Sequence, residues 1–247
     1  MSAFQGAIIA AGRGERLRAT GGASIPKPLV QVGGAPMIVR QARAMLAVGA
    51  AEVLAVINRE TAALAGNDKI ELPRGLRIIV RDTASSMESL FTLGEVLKPG
   101  DFLLATVDAI LPSAEFARFT REAQAATAAG ACDGALAVVK WRGDKKPLFT
   151  HVSSLGLIEE LGERAAPLVT AGVYWLPTSI FAIAGRARAL ELSAMRAFLA
   201  MILANRFRLR AIEVTSAIDI DEAADLEAAR RQEQDPSEDK ATSEDRR

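Results

Sequence analysis

The chain has 247 residues, of which half are apolar and only 5% aromatic, and its 30 basic and 30 acidic side chains cancel in charge. This balance argues against bulk binding of nucleic acid, which needs a concentrated basic face. The single cysteine, Cys132, has no partner for an internal disulfide, and no apolar run reaches the roughly 20 residues that span a bilayer. With no signal-peptide pattern at its start, the chain is expected to be cytoplasmic and free of membrane association.

Short apolar runs alternate with longer helical patterns, which predicts parallel strands joined by crossover helices. The pattern predicts strands at 6–10, 52–57, 76–80, 101–106 and 134–139, and helices at 36–48, 86–97 and 113–129. Ser85 and Glu88 form a capping-box pattern at the start of the second helix. Further along, the sequence predicts a β-rich, substrate-facing subregion at about 140–175, helices at about 178–204, a strand at 209–214 and a last helix at 222–230.

One domain is predicted over residues 1–230, because no repeat or low-complexity linker divides them. The remaining residues, 231–247, contain ten charged side chains and no Leu, Ile, Val or aromatic residue. Such a segment cannot bury enough apolar surface to offset the entropy of ordering it. A disordered, charged tail is therefore predicted there.

A glycine turn and several cations follow the first predicted strand. The strand runs into Ala11-Gly12-Arg13-Gly14, and Arg16, Arg18 and Lys27 come next. Glycine lets backbone N–H groups approach an anion closely, because no Cβ blocks the approach. Arginine adds bidentate donors for phosphate oxygens and lysine adds a compact positive charge. The combination predicts a polyphosphate site, and hence a nucleotide as ligand.

Two common phosphate motifs are excluded by single residues. The dinucleotide-binding fingerprint requires a third glycine where Leu17 stands, and an acid about 20 residues further on, where none occurs. The P-loop requires Ser or Thr after its lysine, whereas Pro28 follows Lys27. Pro26 and Pro28 also oppose a helix that starts at this lysine.

Three motifs in order resemble the sugar-nucleotidyltransferase, or pyrophosphorylase, superfamily. They are Ala10-Ala11-Gly12-Arg13-Gly14-Glu15-Arg16, Pro26-Lys27-Pro28-Leu29 and Gly34-Ala35-Pro36, which match A-A-G-x-G-x-R, P-K-P-L and G-x-P. The resemblance implies a Rossmann-like (GT-A type) three-layer α/β/α sandwich with a mixed, mainly parallel central sheet. It also implies transfer of a nucleotidyl group from an NTP to a phosphorylated acceptor, with release of pyrophosphate.

The same resemblance assigns roles within the first two motifs. The backbone of Ala10, Ala11, Gly12, Arg13 and Gly14 would bind the nucleotide phosphates. Arg16 would neutralise the departing pyrophosphate. Lys27 would contact the α-phosphate and the incoming acceptor phosphate. Catalysis would then consist of positioning and charge neutralisation.

Acidic residues at two distant points complete the predicted site. Asp108 follows the strand at 101–106, and an acid at the carboxyl end of a central parallel strand points into the ligand crevice. Asp219-Ile220-Asp221, followed by Asp225-Leu226, resembles the D-I-D-T-P-E-D-L segment of many nucleotidyltransferases. The resemblance implies Mg²⁺ bound by Asp108 and Asp221, with Asp219 as the alternative to Asp221. Ordinary caps of a turn and of the last helix remain the alternative interpretations.

The nucleotide is predicted from the segment between the third strand and the second helix. Residues 81–90 lack the L-G-T-A-x-A of sugar-nucleotide pyrophosphorylases, whereas Ser89-Leu90 resembles the N-x-x-S-L of cytidylyltransferases for phosphocholine and inositol phosphate. This favours CTP, with Ser85 and Ser89 touching the base or ribose. A plain helix cap explains these serines equally well.

The acceptor is predicted to be a phosphorylated small alcohol or sugar phosphate. Lys145 is a candidate contact, since the Lys145-Lys146 pair could reach an acceptor phosphate, although a solvated turn explains the pair as well. Gly172 is the other, since Thr170-Ala171-Gly172 resembles the acceptor-site segment of the family. The alternatives are a sugar-1-phosphate enzyme using UTP, dTTP or GTP, a GT-A glycosyltransferase and a non-catalytic nucleotide-binding module. Molybdopterin-type enzymes fit less well, because they usually lack P-K-P-L. The sequence is compatible with a homodimer and does not determine the oligomeric state.

Overall fold

The computed structural model describes residues 3–67, 70–143 and 147–234. The strands are β1 (Phe4–Ala10), β2 (Gln31–Val32), β3 (Ala35–Pro36), β4 (Ala50–Ile57), β5 (Leu76–Val80), β6 (Asp101–Thr106), β7 (Ala109–Ile110), β8 (Gly134–Lys140), β9 (Phe149–Val152), β10 (Ile158–Gly162), β11 (Leu168–Pro177), β12 (Leu209–Glu213) and β13 (Ile218–Asp219). The helices are α1 (Glu15–Ala19), α2 (Met37–Ala47), α3 (Arg59–Asn67), α4 (Ser86–Gly94), α5 (Ser113–Ala128), α6 (Ala184–Ala189), α7 (Met195–Ala204) and α8 (Ala223–Gln234). Short 3-10 helices cover Lys27–Leu29 and Thr178–Ile183. Among the described residues, no helix combines the length and apolar character needed to cross a membrane.

The described residues form a nine-stranded mixed sheet with helices on both faces. Its main path runs β10-β9-β11-β6-β1-β4-β5, and β8 joins β11 to β12. Strands β6, β1, β4 and β5 are parallel, while β11 is antiparallel to β6. The predicted Rossmann-like α/β fold is therefore confirmed. Because parallel strands end at the same edge of a sheet, the loops after β1, β4, β5 and β6 meet there.

Strand β1 lies between two apolar cores. Ile8 points into the core built with α2, α5 and α8, whereas Ala7 and Ile9 point into the core built with α4 and α7. All seven of its residues are buried. A strand that is covered on both faces has a largely apolar sequence, and in this one the single polar side chain, Gln5, is hydrogen-bonded to Glu52 and to the backbone N–H of Lys98. The chain that leaves β1 is consequently held rigidly where the glycine turn begins.

Most predicted elements agree closely with the structure, and β5 and β6 have the predicted bounds. The second predicted helix ends at Gly94 instead of residue 97. The helical segment predicted at 178–204 is interrupted between α6 and α7, where Glu191 has a φ of 53°.

The chain's last helix is longer than predicted. It continues to Gln234, so residues 231–234 are helical and are not part of a tail. The rest of the predicted tail, 235–247, lies outside the described residues. Helices α1 and α3 are additional elements that the sequence analysis did not predict, and both of them border the site described next.

Candidate active site

A cleft of about 1080 Å³ opens at the carboxyl ends of the parallel strands. This is slightly above the range that small-molecule sites commonly occupy, roughly 300–1,000 Å³. Its walls come from the loops after β1, β4, β5 and β6, from α1, and from Asp221, two residues before α8. The sequence-predicted residues that line it are Ala10, Ala11, Gly12, Arg13, Gly14, Arg16, Lys27, Ser85, Ser89, Asp108 and Asp221.

The phosphate loop, residues 11–14, is shaped by glycine and by a neighbouring lysine. Gly14 has a φ of 65°, and a Cβ added there would lie 2.9 Å from the Cβ of Lys27. Glycine thus allows the left-handed turn and the close approach of the P-K-P-L segment together. None of the hydrogen bonds among the described residues uses the backbone N–H of Gly12, Arg13 or Gly14. These three donors are available to an anion in the cleft.

Asn58 supports this loop from the end of β4. Its side-chain N–H donates to the carbonyl of Ala11 over 3.1 Å, and its carbonyl oxygen accepts from Thr61 N–H over 2.8 Å. Asn58 therefore caps α3 and fixes the phosphate loop simultaneously. The sequence analysis did not identify it. An asparagine directly after a predicted apolar strand is the signal that could have indicated a role at the cleft edge.

Lys27 and Arg16 are held by carboxylates. Lys27 Nζ lies 2.5 Å from Asp108 Oδ2 and 3.0 Å from Asp221 Oδ1. Arg16 Nη1 lies 2.5 Å from Asp221 Oδ2. The Lys27 side chain is only 10% exposed, whereas that of Arg16 is 57% exposed. Asp221 therefore bridges a buried cation and an accessible one.

Burial and neighbouring charges shift the pKa values of these groups in opposite directions. Burial alone would lower the pKa of Lys27, but Asp108 and the two later acids raise it above its ordinary value. Burial alone would raise the pKa of Asp108, but the charge and hydrogen bond of Lys27 lower it. Both residues are consequently charged at neutral pH. Asp219 differs, because desolvation and the charges of Asp108 and Asp221 raise its pKa to about 7.

A two-residue strand pair brings the distant acids together. Strand β13 pairs antiparallel with β7, which places Asp219 opposite Ala109, and Ile220 N–H donates to the carbonyl of Asp108. As a result, one carboxylate oxygen from each of Asp108, Asp219 and Asp221 lies within 4.8 Å of the others. Hard carboxylate oxygens at this spacing fit a Mg²⁺ ion, which is usually held by one or two carboxylates together with substrate phosphates.

Gln41 on α2 holds the turn that carries Asp108. Its side-chain N–H groups donate to the carbonyls of Thr106 and Ala109, over 3.0 and 2.7 Å, and the residue is 1% exposed. Gln41 was not predicted from the sequence, because a polar residue on the buried face of a helix gains this role only through the strand turn packed against it.

Replacing Gln41 by leucine is expected to destabilise the protein by about 1–3 kcal/mol, because buried carbonyls lose their donors. Activity should fall as well, since the Asp108 turn loses its support. Urea unfolding with a parallel rate assay measures both effects. Arg43→Leu, at an exposed position of the same helix, is the matched control. If the Gln41 variant has the same stability to urea as the wild type, this role is contradicted.

The two predicted serines differ in what they offer a ligand. Ser85 caps α4 by accepting from Glu88 N–H over 3.2 Å, as its capping-box pattern predicts. Ser89 is 1% exposed; its hydroxyl donates to the Ser85 carbonyl and lies 2.6 Å from the hydroxyl of Thr83. Ser89 therefore shapes the loop beside the cleft, and Thr83 with Ser85 forms the surface of that loop.

Of the two candidate acceptor contacts, only Gly172 is among the described residues, and it does not line the cleft. Lys145 lies outside the described residues. Gly172 has a φ of 73°, and an added Cβ would lie 2.6 Å from Ala109 Cβ and 2.9 Å from Thr106 Oγ1. Close packing of β11 against the Asp108 turn is thus sufficient to explain this glycine. Its contact with an acceptor stays a prediction.

The family model of the MobA-like NTP transferase domain matches residues 6–172. The chain belongs to this family. It is a nucleotidyltransferase, as the sequence motifs predicted. The matched region includes the phosphate loop, Lys27 and Asp108, whereas the Asp219–Asp221 segment follows it. The comparison with curated proteins returns no match.

Solved structures of other nucleotidyltransferases share the fold of this NTP transferase. An inositol-1-phosphate CTP transferase from T. maritima aligns with a TM-score of 0.72 and 16% identity, over 95% of this chain and 98% of its own. A UDP-glucose pyrophosphorylase complexed with UDP-glucose aligns at 0.75 and 16%, over 93% and 98%. CTP:phosphocholine cytidylyltransferase from Streptococcus pneumoniae aligns at 0.70 and 16%, over 93% and 99%. At this identity the likeness extends to the fold and not to the substrate.

Proposed function

We propose that this NTP transferase moves an NMP group from CTP to the phosphate of a small phosphorylated alcohol or sugar and releases pyrophosphate. The observation that carries the proposal is the convergence at one cleft of the loop N–H groups, the paired cations Arg16 and Lys27, and the carboxylates of Asp108 and Asp221, beside which Asp219 lies. Each of these groups suits one part of the reaction: the donors and cations suit the phosphates, and the carboxylates suit a divalent metal.

The acceptor phosphate is already anionic near neutral pH, because its second pKa is about 6. It needs no strong general base. One of its oxygens attacks the α-phosphorus and forms a new P–O bond. The bond from the α-phosphorus to the bridging oxygen breaks, and its electron pair leaves with pyrophosphate. The protein then has to position the reactants and neutralise developing charge.

The N–H groups of Gly12, Arg13 and Gly14 would donate to the phosphate oxygens of the nucleotide. Arg16, more than half exposed, would neutralise the departing pyrophosphate. Lys27 would contact the α-phosphate and the incoming phosphate from the cleft floor. Both cations pair with Asp221 in the free protein, so nucleotide binding would exchange part of those ion pairs for contacts with phosphate.

Asp108 and Asp221 would hold Mg²⁺, with Asp219 as the alternative second ligand. When bound, the ion would neutralise phosphate charge and orient the reacting oxygens. Asp108 is fixed by Gln41 and by its pairing with Lys27, so the first ligand is placed before any nucleotide arrives. Asp221 is held by Arg16 and Lys27 in the same way.

CTP is favoured by the Ser89-Leu90 sequence and not by the structural neighbours. Because the Ser89 hydroxyl is used inside the loop, the base or ribose would meet Thr83 and Ser85 at the loop surface. Ser89 would then act by fixing the shape of that surface.

Pyrophosphate release tests the proposal. The protein is incubated with Mg²⁺ and each of CTP, UTP, dTTP and GTP, with and without a panel of phosphorylated alcohols and sugar-1-phosphates. Acceptor-dependent release with CTP is the expected result. Release only with another nucleotide and a sugar-1-phosphate would replace CTP by that nucleotide. No release with any pair would overturn the proposed transfer from CTP to a phosphorylated alcohol or sugar.

A further inference from the structure

We propose that Thr20 and Asp225 are positioning residues that hold the start of α8 against α1 and thereby set the position of Asp221. Together, these two residues and their hydrogen bonds form a clasp. The proposal rests on the proposed function, in which Asp221 is a metal ligand and Arg16 a phosphate contact. It concerns residues that touch neither ion nor nucleotide.

Asp225 fixes the backbone at Asp221 from the helix side. One of its oxygens, Oδ2, accepts from the N–H of Asp221 over 3.0 Å and from the N–H of Glu222 over 2.7 Å. These N–H groups lie at the helix start, where no intrahelical carbonyl is available to them. A carboxylate in the first turn of a helix is also favoured by the helix dipole. Asp225 thus determines the direction in which the chain leaves Asp221.

Thr20 fixes the same segment from the phosphate-loop side. Its hydroxyl accepts from Ala223 N–H over 3.1 Å and donates to the carbonyl of Arg16 over 3.1 Å. A single hydroxyl therefore joins the first residue of α8 to the residue of α1 that carries the pyrophosphate-facing cation. The two segments are 203 residues apart in sequence.

Gly22 lies at a close packing contact between the two segments. A Cβ added to Gly22 would lie 3.0 Å from Ala223 Cα and 2.5 Å from Leu17 Cδ1. Only glycine leaves room for α8 to start this near the turn after α1. This packing contact is independent of the two hydrogen-bonding side chains, and it places α8 at the same point.

The clasp helps to position the cluster of charged side chains that Asp221 forms with Arg16 and Lys27. Asp221 contacts Arg16 and Lys27 through its side chain, while Asp225 and Thr20 hold the backbone beside it. Without the clasp, the N–H groups of residues 221–223 lose these side-chain partners, and their segment keeps only the two-residue strand β13, the ion pairs of Asp221 and the packing at Gly22. Partners that orient metal ligands commonly change metal affinity by roughly 10–100-fold when they are lost.

The test pairs a disruptive and a conservative variant at each position. Asp225→Ala and Thr20→Val remove the acceptor oxygens, whereas Asp225→Asn and Thr20→Ser retain one. Titration of the free protein with Mn²⁺ alone gives the metal affinity. We expect the two disruptive variants to bind Mn²⁺ roughly 10–100-fold more weakly than wild type and the two conservative variants to stay within a few fold of it. Glu227→Ala, at a side chain 71% exposed on α8, is the control.

The rescue by asparagine separates positioning from a charge effect, because Asp225→Asn removes the charge and keeps the hydrogen-bond acceptor. Wild-type affinity in Asp225→Ala, or equal losses in Asp225→Ala and Asp225→Asn, would overturn the proposal. If the wild type itself binds no Mn²⁺, the metal part of the proposed function fails. Amide exchange at Asp221 and Ala223 then decides on the clasp: faster exchange in the disruptive variants alone supports it, and unchanged exchange refutes it.

Discussion

Replacing Lys27 by methionine is expected to lower the turnover number by roughly 10²–10³-fold, the range typical for loss of one preorganised charge-stabilising group. Lys27 is the only cation that contacts both Asp108 and Asp221 among the described residues, and it lies on the floor of the cleft. Methionine retains the apolar stem and removes the charge. The loss should therefore appear in turnover, measured as acceptor-dependent pyrophosphate release at saturating nucleotide.

The fold of this variant should remain intact. Asp108 and Asp221 keep side-chain exposures of 20% and 28%, so water can hydrate the carboxylates that lose their partner. Circular dichroism and urea unfolding check this. Lys98→Met, at an exposed lysine ahead of β6, should have wild-type turnover. Wild-type turnover in Lys27→Met would remove this lysine from the mechanism, and partial recovery in Lys27→Arg would show that the charge is what matters.

The parts of this site that could be predicted from sequence are those encoded within one short segment. The phosphate loop and Lys27 belong to local motifs in which glycine and cation spacing carries the chemistry. Asp108 was predictable because its position after an apolar strand places it at the edge of a parallel sheet. Strand bounds were predicted well for the same reason, since apolar runs between turns are a local signal.

The supporting residues were not predictable, because their roles depend on contacts between distant segments. Gln41 meets the carbonyl of Ala109 across 68 residues, and Asn58 meets Ala11 across 47. Asp225 offered a different difficulty, since an acid in the first turn of a helix is an ordinary capping residue. The bonds from Asp225 to the N–H groups of Asp221 and Glu222 are local, and what the sequence does not show is that Thr20, at the end of α1, bonds to the same stretch at Ala223.

Burial distinguishes the two serines that were predicted to contact the nucleotide. Ser85 and Ser89 were both predicted to touch the nucleotide. Because both carry the same hydroxyl group, the sequence does not show which of them faces the cleft. In the structure Ser89 is buried beneath the loop and bonded to Ser85 and Thr83. Residues at i and i+4 of a helix share one face, so the inner member supports the outer one. This relation becomes visible once α4 is placed against the cleft.

Replacing Asp108 by asparagine should weaken metal binding and raise the Mg²⁺ concentration needed for half-maximal turnover. Loss of an outer partner typically costs roughly 10–100-fold in affinity or activity, so loss of a direct ligand should cost more. Asparagine keeps the shape of the side chain and an acceptor for Lys27, which limits structural change. Titration of turnover against Mg²⁺ measures the effect. Asp133→Asn, at an acid paired with Arg208 on the opposite edge of the sheet, is the control.

The same titration distinguishes the two candidates for the second ligand. We expect a larger shift in Asp221→Asn than in Asp219→Asn, because Asp221 lines the cleft and also holds Arg16 and Lys27. A larger shift in Asp219→Asn would assign the role to that residue. An unchanged Mg²⁺ dependence in all three variants would contradict the carboxylate site altogether.

Lys27 and Asp108 should also fail to act additively. Their charges set each other's protonation state, and both serve the same reacting phosphate in the proposed reaction. When residues act as a unit, removing the second after the first costs little more. The double variant Lys27→Met, Asp108→Asn is therefore expected to retain about the turnover of the poorer single variant. Losses that multiply would instead mean that the lysine and the metal site contribute independently, at separate points of the cleft.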